Sequence, residues 1–384
     1  GIGLPFLPTY NDFQFKVRTR FDEKHEFYVV GLGALDRFKL NLDANETPEQ
    51  RYLLGNLPVN NQWSYALGAV YRYSQKNGYW TFVLSRNMLD NEIYKHIDND
   101  ETKERFIDYL SQESENKLRI ENTRRFGSSW KLNYGVGYEY TRYFNSSKIF
   151  EVVNGVATPV VFESLLFTHK YAAFAQLSNK FFNEKMVVSV GGRLDGNSYN
   201  SKMANPLRQA SPRLSVSYNF FEGFSANFNT GIFYQLPAYT AMGYKENGEF
   251  ANRDRLDFLR ASHVVAGVEY ITKTNTKFSL EGYFKQYANY PFLLNQQIAL
   301  ANLGGDFGVI GSAPLNSTGE GRAYGLEVLI QQRLYKGFFG IVSYTFGKTE
   351  FKTPDGGYVP STWDSRHILN LSLGKSWTTM SSDL

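Results

Sequence analysis

The sequence predicts an all-β chain that folds as an antiparallel transmembrane β-barrel, and three observations predict it. Apolar and polar residues alternate through most of the chain, the period-2 signature of a strand with two unlike faces. Short and long connections alternate without exception. Aromatic residues make up 16% of the chain, as 31 Phe, 27 Tyr and 5 Trp. A soluble surface rarely carries so many rings, whereas a lipid-facing wall uses them for its outer band and for girdles at both interfaces.

The alternation is clearest in four segments. In Lys131 to Arg142, Leu132, Tyr134, Val136, Tyr138 and Tyr140 point one way, and Lys131, Asn133, Glu139 and Thr141 the other. In Phe224 to Gln235, Phe224, Ala226, Phe228, Ile232 and Tyr234 oppose Ser225, Asn227, Asn229 and Gln235. Lys277 to Lys285 sets Phe278, Leu280 and Phe284 against Lys277, Ser279, Glu281 and Lys285. Tyr324 to Leu334 sets Leu326, Val328, Ile330 and Leu334 against Glu327, Gln331 and Arg333.

Alternation alone does not separate a soluble sandwich from a membrane barrel; the connections do. Tight turns are expected at Asp22 to His25, Gln75 to Gly78, Gly127 to Ser129, Asn183 to Lys185, Glu222 to Gly223, Thr274 to Thr276 and Tyr335 to Gly337. Long polar connections are expected at Lys39 to Asn60, Ile97 to Glu115, Asn145 to Val160, Asn200 to Gln209, Leu236 to Leu259, Asn295 to Gly321 and Lys352 to Thr362. Outer-membrane barrels are built this way, with short periplasmic turns and long extracellular loops. The segments give 15 strands of roughly 10 to 18 residues, more than the ~9–11 that cross hydrocarbon. Strands projecting beyond the lipid on the loop side are therefore expected. An odd count does not close a single-chain bacterial barrel, so residues 1–384 are expected to be part of a larger barrel, with its first and last strands outside this sequence.

Composition narrows the alternatives. Mean hydropathy is −0.39, low for a helical membrane protein but compatible with a wall in which only alternate residues meet lipid. The longest apolar candidate, Phe27 to Leu35, contains Gly31 and Gly33 and lies between Glu26 and Asp36; it has strand length, far short of a spanning helix. The chain has no cysteine, which excludes disulfides, thiolate metal sites and a cysteine nucleophile. The net charge of +4 is unclustered, so no nucleic-acid partner is expected. The chain opens GIGLPFLP without a signal peptide, as a mature or partial chain would.

Few residues point to chemistry. Asp98-Asn99-Asp100-Glu101 offers oxygen ligands without the spacing of a calcium loop; no metal and no cofactor is expected. The five histidines are scattered and no GxSxG is present, so no enzyme is expected. Arg253, Asp254, Arg255 and Asp257 lie in a long connection beside Tyr239 and Tyr244. Rings plus guanidinium groups grip anionic or sugar-like ligands, which makes Tyr239, Tyr244, Arg253 and Arg255 candidate ligand contacts; the alternative is a solvated charge cluster. In WDSRH, Trp363, Asp364 and Arg366 are ligand candidates with His367 titrating. The competing reading pairs Asp364 with Arg366 to fix a strand top while Trp363 anchors the interface. Tyr71, Tyr73, Tyr138, Tyr140, Tyr143 and Tyr218 are read as girdle residues, and Gly135, Gly137, Gly191 and Gly192 as relief of wall curvature.

Two stretches resemble the late barrel of TonB-dependent receptors: GRAYGLEVLIQQRLYKGFFGIVSYTFGKTEF, Gly321 to Phe351, and STWDSRHILNLSLGKSW, Ser361 to Trp377. PRLSVSYNFFEGFSANFNTGIFYQLPAY, Pro212 to Tyr239, is similar to an earlier hairpin of that barrel. The resemblance implies a Gram-negative outer-membrane barrel of about 22 strands, of which these strands would run from about the fourth to about the eighteenth. It implies active uptake of a ligand bound by extracellular loops and lumen, driven by the TonB complex through a plug domain that this sequence lacks. Outer-membrane lipid and lipopolysaccharide are the implied surroundings, and in some branches of the family a surface lipoprotein caps the loops. The alternative is a passive porin or a structural barrel subunit of a larger outer-membrane complex.

Overall fold

A computed structural model describes residues 4–153, 156–303 and 311–377, with side chains at 151–157 excepted. In chain order the strands are β1 (Phe6–Arg20), β2 (His25–Leu40), β3 (Val59–Gln75), β4 (Gly78–His96), β5 (Arg105–Phe126), β6 (Trp130–Val153), β7 (Val156–Phe181), β8 (Met186–Asn197), β9 (Ser211–Phe221) and β10 (Phe224–Gln235). There follow the small hairpin β11 (Lys245–Glu246) and β12 (Glu249–Phe250), then β13 (Leu259–Ile271), β14 (Thr276–Leu293), β15 (Ile298–Ala299), β16 (Leu315–Tyr335), β17 (Phe338–Lys352), β18 (Tyr358–Pro360) and β19 (Arg366–Lys375). Helices α1 (Pro48–Asn56), α2 (Ser201–Ala204) and α3 (Tyr239–Gly243) lie in connections.

Every strand but the β11–β12 pair joins one 17-stranded sheet. Setting aside the two-residue β15 and three-residue β18, fifteen long strands remain. Each pairs antiparallel with the next in sequence, from β1 to β19. Among the described residues β1 and β19 do not pair with each other. Between those two edges the ladders satisfy the backbone within the protein, as hydrocarbon requires of anything that crosses it.

The register puts the apolar residues on one face. Leu280 stands opposite Val328, and Phe278 opposite Ile330; these side chains are exposed, as are Leu84, Val136 and Leu326. The other face carries ion pairs, Lys277 with Glu269 and Lys117 with Glu115 and Glu139. The polar face is the concave one. Tyr239, in the connection after β10, reaches Glu115 on β5 with a 2.7 Å hydrogen bond, and only a segment crossing the inside of the wall spans that many strands.

Height above the membrane is legible on the outer face. Trp80 and Tyr134 meet edge to face at 5.9 Å at the lower border. Tyr140 stacks on Phe167 at 6.1 Å, and the Tyr138 hydroxyl meets His169 Nδ1 at 2.7 Å, at the upper border. Leu132 to Tyr140 is the length, ~9–11 residues, that crosses hydrocarbon. Above it the outer face turns polar: Arg142 donates to Gln112 at 2.8 Å, and Gln112 donates to Asp90 at 3.1 Å.

That transition explains two departures from the sequence reading. Ile97 to Glu115 is not one long connection, because β5 begins at Arg105. Asn145 to Val160 is not a connection either: β6 and β7 run through it as strands of 24 and 26 residues. Above the lipid both faces meet water, so alternation fades while the ladder continues. The Lys39 to Asn60 connection contains α1, whose start is fixed by a capping box between Thr47 and Gln50 with Pro48 in the first turn. Lys95 anchors its other end, donating to the carbonyls of Leu54 and Leu57. All seven expected tight turns lie between paired strands; at Glu222 to Gly223 the glycine has φ +83, a conformation that favours glycine. Residues 304–310 of the Asn295 to Gly321 connection lie outside the described residues.

The buried core sits inside the wall at the long-loop end. Ala241, Met242, Leu256 and Phe258 pack with Tyr199 and Met203 of the β8–β9 connection, Leu293 and Leu315, and the wall residues Tyr143 and Leu166. Tyr143 is therefore no girdle residue: it faces inward at 1% exposure. Asn252 stitches this cap together. Its Nδ2 donates to Ala241 O at 2.8 Å and Ala313 O at 2.9 Å, and its Oδ1 accepts from Leu315 N at 2.8 Å.

Candidate functional site

Under this cap, the inner wall holds a cleft of about 440 Å³ lined by Phe233, His263, Tyr287, Tyr290, Phe351 and Trp363, with Gln235, Arg260 and Thr349 among its polar neighbours. Four wall strands supply it. Phe233 stands opposite Ala261, Ala261 opposite Tyr287, and Tyr287 opposite Gly321, which faces Phe351, so these positions share one face. Phe351 is buried between Tyr287, stacked at 5.8 Å, and Tyr290, at 4.6 Å. The His263 ring lies 4.6 Å from Phe233, and the Arg213 guanidinium lies 4.5 Å from the same ring. A second hollow of about 220 Å³ shares Phe233 and His263 and continues to Arg213 and Gln176. Flat rings with a few convergent polar groups are what a small-molecule site needs. The rings offer stacking surfaces, and Arg213 and Arg260 offer charge to an anionic group.

Of the residues singled out from sequence, Trp363 lines this cleft and is 61% exposed. Asp364 and Arg366 pair at 3.3 Å, and the Asp364 carboxylate also accepts from the Thr349 backbone at 3.0 Å. They fix the segment that carries Trp363. His367 Nδ1 meets the Tyr344 hydroxyl at 2.8 Å. Tyr239, Tyr244, Arg253 and Arg255 lie in the cap instead. The Tyr239 hydroxyl bonds Glu115 and its ring stacks on Tyr143 at 5.8 Å. Burial, then the Glu115 charge, holds its pKa well above the usual tyrosine range. Burial likewise raises Tyr199, whose hydroxyl donates to Met242 O at 2.8 Å. Tyr244 is buried, edge to face with Phe162. The Arg253 guanidinium covers the Phe250 ring at 4.5 Å, and Arg255 is exposed. Thus the structure brings Trp363 to the cleft and the other six to its supports or its lid.

Phe233, His263, Tyr287, Tyr290 and Phe351 escaped the sequence reading. The signal was present: Phe233 falls in phase with Ser225, Asn227 and Asn229, an aromatic on a face otherwise kept for polar residues. In the Asp98 to Glu101 stretch the two aspartates are occupied, Asp98 by Lys103 at 2.7 Å and Asp100 by Thr102. Among the described residues no cluster of histidine, aspartate and glutamate is arranged to hold a metal ion. Of the other histidines, His25 meets the Tyr71 hydroxyl at 2.6 Å and His96 the Lys103 carbonyl at 2.7 Å.

A family model described as TonB dependent receptor-like, beta-barrel matches residues 5–382. No curated protein sequence matches the chain. Solved structures do. The ferripyoverdine receptor of the outer membrane of Pseudomonas aeruginosa superposes with a TM-score of 0.70 at 12% identity, covering 98% of this chain and 53% of that one. The copper transporter OprC gives 0.64 at 14% identity, covering 93% and 54%. The ferric-catecholate import receptor Fiu of Escherichia coli K12 gives 0.64 at 12% identity, covering 95% and 61%. The chain thus spans somewhat more than half the length of each, and at these identities the likeness is one of fold.

Proposed function

The chain belongs to the TonB-dependent receptor-like β-barrel family, and from that premise we propose that it forms the wall of an active outer-membrane transporter that takes up a small ligand bearing a flat face. As a member of this family it is an outer-membrane β-barrel. The observation that carries the reading is the aromatic cleft on the inner wall beneath the packed cap. A cap with a hydrogen-bonded core packs against the inner wall at the long-loop end, an arrangement that suits a gated receptor better than an open pore. The long loops face outward; the ligand enters there and meets Trp363, Phe233 and Tyr287. TonB, acting through a plug of the kind the family resemblance implies, would supply the energy. In this reading Tyr239, Tyr244, Arg253 and Arg255 shape the lid, and Asp364 and Arg366 position Trp363.

The test is growth of the source bacterium on limiting iron chelates, copper, glycans and peptides, with the full gene intact, deleted, or intact in cells lacking TonB. Active uptake gives at least one nutrient on which deletion and TonB loss cause the same defect. A defect on deletion that TonB loss does not reproduce, with open-channel conductance of the purified protein in planar bilayers, would establish the passive porin instead.

A further inference from the structure

The wall has a free strand edge above the membrane. β7 pairs with β6 from Val156 to Ser178. On its other side β8 stops early: the register ends at Lys170 opposite Asn197. One more step follows, with Ser198 N donating to His169 O at 2.9 Å and His169 N donating to Ser198 Oγ at 2.9 Å. Those bonds fix which residues face the open side. His169 points its backbone away from β6, so by strand alternation Phe167, Leu165, Glu163 and Val161 do too. Among the described residues no backbone group pairs with theirs on that side. Other wall strands outrun a neighbour by less among the described residues: β16 lacks a β17 partner over Leu315–Glu320, and β6 lacks a β5 partner over Ile149–Val153.

The outward side chains here are Val161 at 69% exposure, Leu165 at 47% and Phe167 at 47%, with exposed Glu163 among them. They rise from the upper aromatic border, where Phe167 stacks on Tyr140, through Leu165, level with Gln112 of the polar belt, to Glu163 and Val161 above it, opposite Ser146 and Lys148. An exposed apolar edge of this kind is normally blunted by charge, bulge or proline. The nearest proline, Pro159, lies at its far end.

We propose that the β7 edge from Val161 to Phe167 is a strand-addition site for an extended segment of another protein outside the cell. Only a second polypeptide backbone offers donors and acceptors at ladder spacing. A second copy of this chain does not fit. Two copies in one membrane are related by a rotation about the membrane normal, so both β7 strands rise away from the membrane. An isologous antiparallel pairing would require one of them to descend. The fitting segment is therefore extended, apolar beside Val161, Leu165 and Phe167, and basic beside Glu163. This surface is independent of the uptake reading and stands or falls without it.

The test uses the full chain in detergent and the peptide acetyl-Thr-Val-Thr-Val-Thr-Lys-Thr-Val-Thr-amide, which in antiparallel register sets its lysine opposite Glu163. Amide exchange is read residue by residue. The expected result is fast exchange at Val161, Glu163, Leu165 and Phe167 in the receptor alone, slowed at least tenfold by peptide, with Phe162, Ser164 and Leu166 slow throughout. Leu165→Pro removes an edge N–H without removing a ladder bond to β6, and is expected to abolish the protection. Glu163→Lys is expected to weaken peptide binding at least threefold. Edge amides already slow before peptide would mean that a segment of this chain covers the edge. That result, absence of protection at millimolar peptide, or unchanged protection in both variants would overturn the proposal.

Discussion

Single side chains decide two properties of the site. Trp363 and Phe233 present ring faces to the cleft, and stacking on one ring contributes roughly 0.5–1.5 kcal/mol. Trp363→Ala or Phe233→Ala should each raise the half-saturating ligand concentration for uptake about three- to tenfold, with receptor amount in the membrane unchanged. Asn252 is fully buried and bonds three backbone groups of the cap. Asn252→Ala leaves those groups unpaired, each at roughly 1–3 kcal/mol. Amide exchange in 239–258 should quicken by at least tenfold while the strand ladders stay protected. The role of Asn252 was not legible in the sequence, because it depends on which distant segments a loop meets. WDSRH was legible as a motif, with two readings that the geometry combines: Asp364 and Arg366 hold the strand top, and Trp363 faces the cleft.

At the scale of the element, strand positions follow from alternation, and strand ends do not. The segments centred on Val136, Phe228, Leu280 and Val328 were placed by period alone, since one face meets lipid and the other water. Above the lipid that contrast vanishes, which is why Gln112 to Glu115 and Asn145 to Lys148 read as loop yet belong to β5 and β6. The same border predicts a depth dependence. Val136 lies mid-band, and Phe144 lies two outward positions above Tyr140. Val136→Arg should destabilise the barrel by about 2–4 kcal/mol in reversible denaturation from bilayers, and Phe144→Arg by about 0–1 kcal/mol.

For the molecule as a whole, the short-turn and long-loop ends must face opposite compartments. Arg255 is exposed in the cap, and Glu222 is in a tight turn. In intact cells a membrane-impermeant maleimide should label Arg255→Cys and leave Glu222→Cys unlabelled until the outer membrane is broken; the reverse pattern would invert the orientation. The antiparallel order of neighbours was legible because short and long connections alternate, which only a meander produces. The cap and its cleft were not, because loops carry no periodicity to read.

The claim beneath all of this is that alternate residues of each strand meet acyl chains while their neighbours meet a water-filled lumen. Spin labels placed singly along β14, from Lys277 to Lys285, test it in reconstituted bilayers by relaxation with oxygen and with a water-soluble nickel chelate. Labels at Phe278, Leu280 and Phe284 should favour oxygen, and labels at Lys277, Ser279, Glu281 and Lys285 should favour nickel. Equal nickel access at all seven positions would contradict the account.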